Sequence, residues 1–183
     1  MKQWLIVGAI LLVLLVSYIW NRSRNFNGEG ETIPPVEEII TQEGGQVVRR
    51  RGEVTEEISP EEAEQRRQEI SERVADVEPV VLTSVESETG NGSSFSTFEE
   101  GTYYQRIQVE GMAPLQKGYF YEAWLEQEDG TRVSIGRLDM TNGSGELFYS
   151  ALEDRTTYPR VVVSREVEDG NAEIGERVLV GTR

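Results

Sequence analysis

The chain has 183 residues and a formal net charge of −15, from 33 acidic and 18 basic side chains. It contains no cysteine and no histidine, which excludes disulfide bonds and metal sites built from thiolates or imidazoles. An acidic surface repels phosphate backbones, so the composition also disfavours nucleic acid as a partner. We therefore expect the fold to depend on its hydrophobic core.

The apolar segment over residues 4–20 predicts a transmembrane helix, with residues 1–3 as a short flank. Its sequence, WLIVGAILLVLLVSYIW, has no charge and an aromatic residue at each end. A helix of this length measures about 26 Å, close to the hydrocarbon thickness of a bilayer. No small-residue cleavage motif follows, so we expect an uncleaved signal anchor in the plasma membrane. Positive charges flank both ends and leave the orientation open.

Residues 21–58 predict an acidic, mobile stalk, because Gly, Pro, Glu and Arg alternate there without a sustained period. The sequence EEIITQEGGQVV is compatible with a hairpin around Gly44-Gly45, but a lone hairpin is only marginally stable in water. The run Arg49-Arg50-Arg51 has glutamates close by, which favours a solvated run of charges over a lipid contact.

Residues 59–76 predict a short capped helix. Ser59 suits the N-cap, Pro60 the first helical position and Glu62 a capping box. The apolar positions are sparse, namely Ala63, Ile70 and Val74. This thin stripe predicts a helix that lies on the edge of a domain or stands as a semi-rigid spacer.

Residues 77–183 predict an all-β domain, an antiparallel β-sandwich of about seven strands. Short alternating runs are separated by turn sequences such as Asp129-Gly130 and Asn142-Gly143. The predicted strands are Val80–Glu86, Tyr103–Glu110, Tyr119–Glu126, Arg132–Asp139, Glu146–Leu152, Arg160–Val167 and Arg177–Gly181.

Alternation along these strands also predicts which side chains are buried. The period-two set comprises Ile107, Val109, Tyr119, Tyr121, Ala123, Leu125, Val161 and Val163. Phe120 and Trp124 fall on the opposite face of their strand. They either pack beneath a neighbouring loop or the helix, or form a candidate partner surface. Surface aromatics are ordinary on sheets, which favours the first alternative.

The stretch Gly118-Tyr119-Phe120-Tyr121-Glu122-Ala123-Trp124-Leu125, followed by Asp129-Gly130 and Ser134-Ile135-Gly136, resembles the anti-sigma-K factor C-terminal domain family. The segments 161–166 and 178–181 resemble the family's C-terminal part, so the likeness covers roughly residues 80–183. It implies a membrane-tethered, extracytoplasmic β domain. In that family a transmembrane helix separates the β domain from a cytoplasmic sigma-binding domain. Because three residues precede the segment 4–20, we expect no sigma-binding domain in this chain.

The sequence offers no recognisable catalytic constellation. A nucleophilic serine lacks a histidine base, no SxxK motif exists, and phosphate-binding glycine motifs are absent. We therefore expect no enzyme activity, no cofactor and no metal. The acidic loop 166–171 offers oxygen ligands suited to calcium, but its spacing does not match an EF-hand. Whether that loop binds calcium stays open.

These features lead to the hypothesis of a membrane-anchored, extracytoplasmic binding or sensing module of a bacterial envelope. Its expected partners are the lipid bilayer, through residues 4–20, and another membrane or envelope protein. The alternative is a structural cell-envelope protein with a surface β domain.

Overall fold

The computed structural model describes residues 37–43, 46–51, 54–169 and 173–183. Within these ranges, no helix is long and apolar enough to cross a membrane. The predicted transmembrane segment 4–20, its flank 1–3 and the first part of the predicted stalk lie outside the described residues.

The described residues form twelve strands and one helix. In chain order they are β1 Glu37–Glu43, β2 Gln46–Arg51, β3 Val54–Glu57, α1 Pro60–Arg73, β4 Val80–Ser84, β5 Asn91–Glu99, β6 Thr102–Glu110, β7 Tyr119–Glu126, β8 Arg132–Arg137, β9 Asp139–Thr141, β10 Ser144–Ala151, β11 Arg160–Val167 and β12 Glu176–Thr182. All seven strands predicted from the sequence are present, with ends shifted by at most two residues.

The described strands join into one antiparallel sheet with the order β3-β2-β1-β10-β6-β5-β4-β12-β11-β7-β8, and β9 pairs with β10. The prediction of a mostly-β antiparallel domain is confirmed. The predicted strand number is too low, and the strands form one connected path instead of two separate sheets. One added strand is β5, which begins in the glycine-rich sequence around Gly92, and another is the short β9.

The other three added strands lie at 37–57, where the sequence predicts a mobile stalk. β1 pairs antiparallel with β2, β2 pairs with β3, and β1 pairs with β10 from Glu37↔Ala151 to Ile40↔Phe148. A hairpin that is marginal by itself is stable here because it extends a larger sheet. The prediction of a stalk is therefore wrong for this part of the chain.

The arginine run in β2 binds carboxylates and is not simply solvated. Arg49 donates to Glu56 at 2.9 Å and to Glu62 at 2.6 Å. Arg51 donates to Glu38 on the adjacent strand, at 3.1 Å from Nη2. The side chain of Glu62 thus serves Arg49, whereas the sequence predicts that it completes a capping box.

Helix α1 begins as predicted, with Ser59 at the N-cap, where its Oγ accepts the Glu62 N–H at 3.1 Å. The helix lies on the sheet, against β2, β6 and β10, so the alternative of a free spacer is excluded. Arg66 extends from it and donates to Glu38 at 3.0 Å. Burial alone would raise the pKa of Glu38, but the hydrogen bonds and charges of Arg66 and Arg51 outweigh it and hold the pKa below its ordinary value.

The largest apolar cluster lies between the inward faces of the strands that follow α1. Its fully buried members include Leu82, Tyr103, Ile107, Tyr121, Ala123, Leu125, Ile135, Leu147, Tyr149, Val161, Val163 and Leu179. The period-two burial predicted for β6, β7 and β11 is confirmed except at Tyr119. Burial of so many apolar side chains is the main stabilising contribution to the fold.

β8 is the last strand of this path. It contacts β1 and β10, which lie near the opposite end of the path. Gly136 permits this approach: its φ is +117°, and a Cβ there would lie 2.8 Å from Cγ2 of Ile39. A side chain at this position therefore meets both backbone strain and a close contact.

We expect Gly136→Ala to destabilise the protein by about 3 kcal/mol, because alanine adds strain at positive φ and displaces Ile39. Urea unfolding measures the effect. Gly130→Ala is the matched control, since Gly130 has φ +87° and open space where a Cβ would lie. It should cost about 1 kcal/mol from strain alone. Equal losses in the two variants would contradict the role assigned to the contact with Ile39.

Candidate partner-binding site

Trp124, one of the two predicted surface aromatics, is buried on the outer face of β7. Its side chain is only 5% exposed, and its Nε1–H donates to Oγ of Ser164 on β11 at 2.9 Å. The indole thus packs on the sheet and satisfies its polar atom within the protein. In this structure its ring is covered and does not form part of an accessible surface.

The hydrogen-bonded chain from Trp124 continues to the segment that precedes β12. The hydroxyl of Ser164 donates to Glu166, and both carboxylate oxygens of Glu166 accept the Gly175 N–H, at 2.8 and 2.9 Å. Ser164 is fully buried and Glu166 is 6% exposed. These hydrogen bonds attach Gly175, which follows the acidic loop 166–171 in the chain, to β11.

Glu122 lies beside this chain and accepts a hydrogen bond from the Ser134 hydroxyl at 2.7 Å. Burial raises the pKa of Glu122 above its ordinary value, and the negative charge of Glu166 acts in the same direction. The hydrogen bond from Ser134 and the positive charges of Arg137 and Arg50 oppose the shift without cancelling it. Successive side chains of a strand point to opposite faces, so Arg50 points away from the face of Arg49 and Arg51. Its positive charge acts on Glu122 of β7.

A second buried carboxylate, Glu126, joins three strands at the other end of the same face. It is 4% exposed and forms ion pairs with Arg160 on β11 and Arg177 on β12. Two arginines around one carboxylate compensate for its removal from water. Glu126 therefore joins β7, β11 and β12, and both of its carboxylate oxygens are used by these arginines.

Phe120, the other predicted surface aromatic, is half-buried. The guanidinium carbon of Arg137 lies 3.5 Å from the centre of its ring, a cation–π geometry. Arg137 also donates to Glu168 at 3.2 Å. Phe120 is therefore half-buried with one face of its ring covered by Arg137, and its role as a partner surface stays a prediction.

The exposed apolar groups at this end of the domain are Tyr119 and Val167. They face each other in the register of β7 and β11, and their side chains are 42% and 48% exposed. A cavity of about 360 Å³ opens beside Tyr119, lined by Pro114, Leu115, Gln116, Tyr119, Arg165 and Glu176. We call Tyr119, Val167, Pro114 and Leu115 the Tyr119 patch.

Charged groups border the Tyr119 patch. Arg165 donates to Glu88 at 3.1 Å and also pairs with Glu176. A second cavity of about 250 Å³ adjoins the first and shares Tyr119 and Arg165. An apolar centre with a polar border is the usual anatomy of a protein–protein contact site.

Sequence patterning misplaces Tyr119 because it continues the alternation of Tyr121, Ala123 and Leu125. The pattern gives the correct face, but the first residue of β7 lies beyond the end of the apolar cluster. The preceding residue, Gly118, has φ +86° and marks the turn that starts the strand. That turn is the one sequence signal for a position at the edge of the domain.

The acidic loop does not assemble a metal site from the residues that the structure describes. Over those ranges no group of three or more acidic side chains is placed to hold an ion. Glu166, at the start of the acidic loop 166–171, accepts hydrogen bonds from Ser164 and Gly175. Residues 170 and 171 of that loop lie outside the described residues, so whether it binds calcium stays open.

This geometry defines an antiparallel β domain with a closed core and a small exposed patch. The chain belongs to the family of the anti-sigma-K factor rskA, C-terminal, which it matches over residues 5–176. The match starts within the predicted membrane segment and is therefore longer than the stretch 80–183 on which the resemblance rests. It ends before residues 178–181, which the resemblance includes. Neither a curated protein nor a solved structure matches this chain.

Because the folded-state pKa of Glu122 is raised, the folded protein binds more protons than the unfolded chain once the pH exceeds the ordinary glutamate value. The contribution of Glu122 to stability should therefore fall as the pH rises from about 4.5 through its folded pKa. Glu122→Gln removes this titration, and its Oε1 still accepts from Ser134. We expect its stability relative to wild type to increase between pH 4.5 and pH 7, as measured by urea unfolding.

Glu128→Gln, at an exposed turn position of the same segment, is the control for the loss of one negative charge. Its stability difference from wild type should change less over the same pH interval. A Glu122→Gln variant whose difference from wild type does not change with pH would contradict the assigned titration.

Proposed function

We propose that this chain is a membrane-anchored, non-catalytic regulatory protein whose β domain lies outside the cytoplasm and binds another protein of the membrane or envelope. Membership of the anti-sigma-K factor family supports an anti-sigma-related regulatory role. Members of that family are membrane-associated anti-sigma factors. The family match includes most of the apolar segment 4–20, which supports an anchor there.

The observation that carries the binding function is the exposure of Tyr119 and Val167 side by side next to a cavity. A large aromatic side chain flanked by an open cavity is the kind of residue that anchors a partner. The charged border formed by Arg165, Glu88 and Glu176 would fix the orientation of a bound partner. The other aromatics discussed on this strand, Trp124 and Phe120, lie on the opposite face of β7, where they are held by Ser164 and Arg137.

Labelling of a single cysteine tests the anchor and its orientation, because the natural chain contains no cysteine. Thr141→Cys places the thiol at an exposed position next to the Asn142-Gly143 turn, and spares Asn142 itself, whose φ is +51°. We expect a membrane-impermeant maleimide to label this variant in intact cells and to leave the cysteine-free chain unlabelled. Labelling only after lysis would place the domain in the cytoplasm and contradict the proposal.

Crosslinking in intact membranes tests the Tyr119 patch. We expect Tyr119→Ala to lower the yield of the crosslinked partner about tenfold, because removal of a central aromatic anchor costs much of the binding energy. Phe98→Ala is the matched control, since Phe98 is also an exposed aromatic at 38% but lies on β5.

Equal yields from the Tyr119→Ala and Phe98→Ala variants would contradict the assignment of the patch. If the wild-type chain captures no reproducible partner, the binding function itself falls. In that case a chain whose deletion alters only the integrity of the cell surface fits the structural alternative.

A further inference from the structure

The apolar contacts of the described residues divide between two parts of the chain. We call β1, β2, β3, α1 and the adjoining residues up to Val77 the N-terminal module, and β4 to β12 the C-terminal core. Every buried member of the largest apolar cluster lies between Leu82 and Leu179. From the N-terminal module only Ile39 packs against that cluster. The C-terminal core is therefore almost complete without the module.

The N-terminal module has an interior of its own. Ile40 on β1, Ile58 before α1 and Ala63 on α1 form a buried cluster, with Val47 of β2 beside it. Two sets of ion pairs also lie wholly within the module: Arg49 with Glu56 and Glu62, and Glu38 with Arg51 and Arg66. These contacts hold its strands and helix to one another.

The contact that α1 makes with the core combines a small apolar cluster with partly exposed ion pairs. Its apolar part consists of Ile70 and Val74 against Tyr104 and Phe148, with Val77 and Phe95 at its border. The ion pairs that α1 makes across it are Arg67–Asp139 at 3.4 Å, Arg73–Glu99 at 3.6 Å and Arg73–Glu100 at 3.3 Å. These groups are a quarter to three quarters exposed, and pairs of this kind contribute little and are screened by salt.

The rest of the contact is made by β1 and β2. β1 pairs with β10 over four residues, and Glu37 forms an ion pair with Arg155 of the core. Ile39 lies beneath Gly136, and the charge of Arg50 acts on Glu122. One short strand pairing is thus the main backbone link between the two parts.

We propose that the N-terminal module opens from the C-terminal core as one unit while the core stays folded. Local openings cost less than global unfolding where few apolar contacts are broken, and this boundary breaks few. Opening would uncover the β1 side of β10 together with Tyr104 and Phe148. β1 is also the first described strand after the predicted anchor, so a displacement at the membrane reaches the module before the core. That link to the membrane rests on the proposed function, whereas the opening itself does not.

Hydrogen exchange of the full chain in detergent micelles, followed by mass spectrometry, tests the opening. We expect the amides of β1, β2 and α1 to exchange at one common rate, at least about tenfold faster than those of β7 and β11. At about 0.5 M NaCl the module should exchange faster still, while β7 and β11 should not change, because salt screens the ion pairs across the boundary.

A pair of double variants tests the boundary directly. Arg67→Gln with Arg73→Gln removes the ion pairs of α1 with the core, together with the contacts of these arginines with Phe148 and Tyr104. It should accelerate exchange in the module about fivefold, without affecting β7 and β11. The matched control, Arg160→Gln with Arg177→Gln, removes two arginines that bind Glu126 inside the core and should not accelerate the module selectively.

Equal exchange rates in the module and the core would overturn the proposal, because the two parts would then open together. Unequal rates among β1, β2 and α1 would also overturn it, because the module would not be one unit. A selective acceleration of the module by the control variant would place the boundary elsewhere. None of these results depends on the labelling or crosslinking outcomes, so the anchor and the partner site are judged separately.

Discussion

A buried carboxylate needs partners that compensate for its lost hydration. For Glu38 and Glu126 these partners are arginines from neighbouring strands and from α1. Glu38 receives Arg51 and Arg66, which joins β2 and α1 to β1. Glu126 receives Arg160 and Arg177 in the same way, which joins β11 and β12 to β7. Removing a partner from such a group would leave a buried charge uncompensated, and that penalty exceeds the net value of the pair. The pairs therefore specify which strands lie together more than they add to stability.

Apolar burial and ion pairing have different places in the fold. The strands from β4 to β12 enclose one continuous apolar cluster, whereas β1 to β3 and α1 join it through a small cluster and partly exposed ion pairs. Apolar burial is insensitive to moderate salt, and exposed ion pairs are not. In the opening proposed above, the core that carries the Tyr119 patch stays folded while the module next to the predicted anchor opens. A regulatory protein that couples a membrane segment to a binding domain is served by such a division.

Polar interactions on the opposite face of β7 and β11 anchor the strands that carry the Tyr119 patch. Trp124, Ser164 and Glu166 link β7, β11 and the segment before β12 through hydrogen bonds. Arg137 covers the ring of Phe120. These side chains are used within the protein, whereas Tyr119 and Val167 at the ends of β7 and β11 are exposed. The family relation and this geometry are consistent with binding rather than catalysis as the proposed role.

The sequence by itself determined the seven main strands, the Ser59 cap, the inward face of β6, β7 and β11, and the family. These features are local, because period-two alternation, turn glycines and capping residues act over a few positions. Only the tertiary structure decided that 37–57 forms strands, that Arg49 and Arg51 bind carboxylates, that Trp124 is covered and that Tyr119 is exposed. Each of these depends on residues far apart in the chain: β1 needs β10, Trp124 needs Ser164, and Tyr119 is exposed because the apolar cluster ends before it. Such distant pairings leave no periodic signal in one sequence.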